Sequence, residues 1–130
     1  MPVRWDQLLD TSELLAADDS DWMADWLDED APVTVRLGNF ARSFATHFSS
    51  LSPSQHRRVL GLLEEVLQDE RDPDSDAVAT GFLEALLASA DRGRFDLRAA
   101  WADFGPATRT YCLAWNKFSG VDSPEWMRQS

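Results

Sequence analysis

Two histidines, one cysteine, a set of alternating aspartates and an acid-rich N-terminus are where this 130-residue sequence has side chains suited to chemistry. His47 lies beside an apolar stripe ending at Phe48, and His56 follows a helix-start signal. Neither has Cys or carboxylates at ligand spacing such as H-E-x-x-H, so both are expected to face solvent or bond locally. Asp72, Asp74 and Asp76 alternate like the opening of a calcium loop. The pattern fails where the loop needs Gly, since Ala77 is there. It fails again where the bidentate acid belongs, because Leu83 holds that place and Glu84 comes one residue late. These acids are expected to cap the next helix and favour its positive end. Cys112 sits on an apolar helix face with Tyr111 and Trp115, the setting of a buried, inert thiol. Gly61, Gly81, Gly93, Gly105 and Gly120 form no phosphate-cradling loop, and no G-x-S-x-G is present. The many carboxylates single out no acid–base pair. The reading is therefore of a non-enzyme, with no catalytic residue, metal or cofactor.

Charge is more informative. Twelve Lys and Arg against 23 Asp and Glu give a net charge of −11. Residues 1–31 hold ten of the acids and a single base, Arg4, whereas residues 32–130 are nearly balanced. Such a field repels phosphate backbones and anionic lipid heads and attracts a basic protein. Trp22 and Trp26 stand one helical turn apart within this region. Asp18, Asp19, Asp21, Asp25, Asp28, Glu29 and Asp30 surround them. Aromatic anchors ringed by like charge suit a protein interface, where burial gives affinity and charge steers the encounter. The plainer alternative packs one or both Trp against Phe40 or Phe44.

The elements that must position these residues all read as helices. Trp5 to about Ala16 carries an incomplete apolar stripe. Asp18-Asp19-Ser20-Asp21, rich in N-cap residues, predicts a break before a short helix over 21–28. Leu37, Phe40, Ala41, Phe44, Ala45 and Phe48 then fall on one face of a helix from Pro32 to about Ser50. Ser52-Pro53-Ser54-Gln55 is a capping box with Pro at the first helical position, starting a helix to about Asp69. A further helix is expected over 76–90, stopped by Arg92-Gly93-Arg94. A short piece over 97–104 buries Trp101. Gly105-Pro106 launches a last helix with Thr108, Tyr111, Cys112, Trp115 and Phe118 inward, closed by Gly120. Gly61 and Gly81 lie inside helices, where they predict close helix–helix approach. Residues 121–130 read as a loosely packed tail anchored by Trp126. The sum is one all-α domain over 1–130, a compact bundle of six or seven helices with 53–69 and 76–90 as its central antiparallel pair. A short α-solenoid-like stack is the alternative, weakened by the lack of a repeat.

With one cysteine, no disulfide forms within the chain. No apolar stretch suits a membrane span, and MPVRWDQLLD lacks the pattern of a secretory signal, so a cytoplasmic protein is expected.

The run Val78-Ala79-Thr80-Gly81-Phe82-Leu83-Glu84-Ala85-Leu86, the turn Phe104-Gly105-Pro106-Ala107-Thr108-Arg109 and the Tyr111-to-Phe118 helix resemble a family of small bacterial helical proteins. Some of its members are encoded as immunity proteins beside polymorphic or secreted toxins. The likeness covers roughly residues 36–120 and carries no catalytic residue to transfer. It implies an inhibitor that occludes a cognate toxin with a basic active-site surface, such as a nuclease, deaminase, ADP-ribosyltransferase or NAD hydrolase. The expected contact region, residues 18–30, lies outside the resemblance and is read from charge and aromatic spacing alone. An acidic adaptor or secretion chaperone is the competing reading, and a small enzyme the third.

Overall fold

Ser12 decides where the N-terminal segment bends. Its hydroxyl accepts the amides of Leu14 and Leu15, so the first helix α1 (Trp5–Asp10) stops and α2 (Glu13–Ala24) begins there. The computed structural model describes residues 2–26 and 29–128. The helix α2 runs unbroken through Asp18-Asp19-Ser20-Asp21, which corrects the expected break. Asp18 and Asp19 bond side chains on another helix and do not cap their own. The expected helix over 21–28 is accordingly the end of α2 and a turn, with Leu27 and Asp28 outside the described residues.

The patterned segment forms as read: α3 (Val33–His47) continues into a 3₁₀ turn over Phe48–Ser50. Its inward face buries Leu37, Phe40, Ala41, Phe44 and Ala45. The capping box is complete, with Gln55 N–H on the Ser52 hydroxyl and Ser52 N–H on the Gln55 side chain, and it opens α4 (Pro53–Gln68). Asp72 caps α5 (Pro73–Ala77), so this helix begins three residues before the expected Asp76. It passes without a break through a π-helical stretch, Val78–Leu83, into α6 (Glu84–Asp91). Gly93, at φ 72°, then turns the chain in a backbone conformation that glycine adopts without strain. Next come α7 (Leu97–Trp101), shorter than expected, α8 (Pro106–Phe118) and a final turn α9 (Glu125–Arg128).

The all-α bundle is as expected, and the split at Ser12 together with α9 brings the described residues to eight continuous helices. Its centre, however, is α3. All three parts of the 73–91 helix pack on α3, whereas α4 meets only α5 and the π stretch of that helix to any extent and packs equally on the last long helix, residues 106–118. Gly81 explains the preference, because a Cβ there would collide with the Thr34 carbonyl of α3. Gly61 does not share this role: a Cβ at Gly61 would meet nothing within 4 Å. Phe40, Phe44, Phe82 and Phe95 form a connected set of rings in the core. In the tail, Met127 is buried and Trp126, the expected anchor, packs edge-on against Trp101, 5.7 Å between centroids, while Val121, Asp122, Pro124, Glu125 and Arg128 are exposed. Phe118 departs most from expectation. It is 84% exposed although its spacing placed it on the inward face. Among the described residues, no helix is long and apolar enough to cross a membrane.

Candidate protein-binding surface

The helix that carries the candidate residues has almost no apolar stripe; among its residues only Leu15 and Asp19 are buried. Polar bonds to α3 therefore do much of the holding. Asp19 forms a two-pronged pair with Arg36, Oδ1 to Nε at 3.0 Å and Oδ2 to Nη2 at 2.7 Å. The Arg36 guanidinium also lies over the Trp5 ring, 3.9 Å from its centre, so α1, α2 and α3 meet at one cation. One turn pair along α3, Ser43 donates to Asp18 at 2.6 Å and the His47 ring reaches the same oxygen at 2.8 Å. The Ser43 hydrogen bond lowers the Asp18 carboxyl below the usual aspartate value; burial opposes it and His47 reinforces it. Both aspartates are thus spent on the fold, and the expected local bond of His47 is instead a contact with α2, 29 residues away in sequence.

Beyond these clasps the helix end is open. Asp21, Asp25, Glu29 and Asp30 are exposed, while Asp28 lies outside the described residues. Trp22 and Trp26 are half-buried and lean on each other, 5.4 Å between ring centroids. Neither belongs to the side chains packed on the main core. Phe40 takes its edge contact from Trp5, so the aromatic partner supplied by the N-terminal region is Trp5. The structure brings Trp22, Trp26, Asp21 and Asp25 together on one end of α2 and sets Asp18 and Asp19 apart on its α3-facing side.

The remaining reactive side chains have quiet settings. His56 hydrogen-bonds the Phe48 carbonyl at 2.7 Å and stacks on the Phe48 ring at 3.8 Å. Cys112 is fully buried, and desolvation pushes its thiol up to about 12. Asp72 accepts the Asp74 amide, and Asp74 accepts the Val3 amide, tying α5 to the N-terminal strand of chain before α1. Among the described residues no group of three His, Cys, Asp or Glu side chains is placed to hold a metal ion.

Sequence reasoning missed Glu64. It is a buried carboxylate on α4 that accepts the Thr108 amide and hydroxyl, the Ala107 amide and the Gln68 side chain. It caps α8 from another helix, at a start where Gly105 has no side chain to do so. A Cβ on Gly105 would run into Glu64, which gives the Phe104-to-Arg109 turn a structural reason. The Gly-Pro start at 105–106 was the available signal; nothing local distinguished Glu64 from Glu65.

No protein-family model matches the chain, and neither a curated protein nor a solved structure matches it.

Proposed function

We propose that the chain is an immunity-type inhibitor that binds a basic toxin through the free end of α2. The observation that carries the reading is the half-buried Trp22–Trp26 pair, its rings tilted against each other outside the core, with exposed Asp21, Asp25, Glu29 and Asp30 near it in the chain. The part of these half-buried rings that solvent still reaches gains from burial against a partner, and the carboxylates accelerate the approach of a cationic surface. An inhibitor needs only to occlude, which agrees with the quiet settings of His56 and Cys112. Asp18 and Asp19 support this surface from behind by fixing α2 on α3. The cytoplasm is the compartment in which such self-protection acts.

The test is capture of the partner from native lysate at low and at high salt, followed by rescue of cells expressing that partner. A basic protein recovered at stoichiometric level, lethal alone and harmless with this chain, is the expected result. Changing Asp21, Asp25, Glu29 and Asp30 to Ser should slow association about tenfold and flatten its salt dependence. Unchanged association with an intact circular dichroism spectrum would remove the interface from α2. Recovery of a secretion component that gives no rescue would replace the inhibitor reading with an adaptor.

A further inference from the structure

Helix α8 carries two stripes. Thr108 and Cys112 face the core and are buried. A second set, Ala107, Thr110, Tyr111, Ala114 and Phe118, follows helical spacing on another face and ranges from half-buried to 84% exposed at Phe118, whereas Trp115 turns to a separate hollow with Leu87 and Trp126. Ala107, Thr110, Tyr111 and Ala114 form one wall of an open groove of about 650 Å³ between α8, the end of α4 and the start of the 73–91 helix. Ser75 and Ala79 contribute to the opposite side.

We propose that this groove receives an amphipathic helix with basic flanks from a partner protein. Three features select that occupant. Ala79, Ala107 and Ala114 are short enough for a guest backbone to come close, while Tyr111 in the groove and exposed Phe118 one turn beyond Ala114 supply larger apolar contacts at helical intervals. Residues 107–118 rise about 16 Å along the axis, the length of three turns of a guest helix. The charges on the groove are Glu70 and Asp76, and no Lys or Arg lines it among the described residues. Glu84 adds a third carboxylate beside the stripe, accepting the Tyr111 hydroxyl at 2.8 Å. Lys117 and Arg128 line a separate hollow with Leu113. A second copy of this chain, at a net charge of −11, meets like charge there, as does an anionic lipid or nucleic acid. None of the lining residues belongs to α2, so this surface is independent of the interface proposed above.

The experiment titrates the full ¹⁵N-labelled chain with an 18-residue Leu/Lys amphipathic peptide and, separately, with the same peptide bearing Glu for Lys. Saturable shifts at Ala79, Thr110, Ala114 and Phe118 with the Lys peptide alone are expected. Ala114→Arg with Phe118→Ser, both at exposed positions, should weaken that binding at least tenfold, and Asp21→Ser with Asp25→Ser should leave it unchanged. Shifts centred on Asp21 to Trp26, equal binding of the Glu peptide, insensitivity to the α8 substitutions, or no binding would each overturn the proposal.

Discussion

Glu64 accepts both hydrogen bonds that Thr108 donates at the start of α8, from the amide at 2.8 Å and from the hydroxyl at 2.7 Å, on a single carboxylate oxygen. Its other oxygen takes the Ala107 amide and the Gln68 side chain, both at 2.9 Å. A helix start needs acceptors for its first amides, and a negative charge is favoured there. The buried carboxylate therefore needs no cation: the end of α8 serves as its counter-charge.

Replacing Glu64 with Gln keeps the size but substitutes an NH₂ for one acceptor, and should cost about 1–3 kcal/mol at neutral pH. Glu64→Ala leaves several donors unmet and should cost more. Burial pushes the Glu64 carboxyl up, but the hydrogen bonds from Thr108, Gln68 and Ala107 outweigh it and hold it below the ordinary value. A carboxyl depressed in the fold stabilises fully above its unfolded value, about 4.3, and loses that contribution as pH falls through the folded value. Urea titrations at pH 7 and on descending through pH 4 should show the gap between wild type and Glu64→Gln narrowing in acid.

Three glycines should respond differently to alanine. Gly81→Ala drives a Cβ into the Thr34 backbone and should destabilise by about 1–3 kcal/mol. Gly105→Ala strikes the Glu64 side chain and should act non-additively with Glu64→Ala in a double-mutant cycle. Gly61→Ala meets open space in the middle of α4 and should stabilise by about 0.5–1 kcal/mol. Thermal melts of the three single variants check the order.

Asp19 and Asp21 look alike in sequence, yet their substitutions should differ. Asp19→Ala strands Arg36 in a site where Asp19 is 4% exposed, and should cost about 3 kcal/mol. Asp21→Ser, at an exposed position, should stay within about 0.5 kcal/mol. Chemical denaturation of the two variants side by side separates structural acids from those free to meet a partner.

Cys112 should resist thiol reagents in the folded protein at pH 8, because burial removes both access and the thiolate. One equivalent should react once denaturant is added. Rapid reaction of the native protein would show that α8 opens readily.

Where side-chain partners are local, the sequence was readable. The Ser52–Gln55 box, the apolar face of Leu37 to Ala45 and the Gly120 stop, at φ 74°, appear where their patterns put them. Asp18 to Asp21 misled because N-cap residue types also serve as long-range acceptors, and the partners that claim Asp18 and Asp19 lie on α3. Phe118 has the right spacing for burial but lies at the last turn of α8, where no described element covers it. Met127 was overlooked beside Trp126 because a four-residue helix is too short to show periodicity. Of the candidate interface, the Trp22–Trp26 spacing was legible; the division of the aspartates into bonded and exposed required α3 in place.

The wide turn at Val78–Leu83 has a geometric effect of its own. A π turn holds one residue more than an α turn, so everything beyond it is rotated by about 100° relative to an uninterrupted helix. The 73–91 rod is in effect two screws of different phase joined without a hinge, the first half fitted to both α4 and α3, the second mainly to α3. Closing the stretch to plain α-helix with all its residues kept would swing Leu86 and Leu87 by about 100° from the neighbours they now meet, whereas deleting a single residue from it would close the wide turn and leave their facing unchanged.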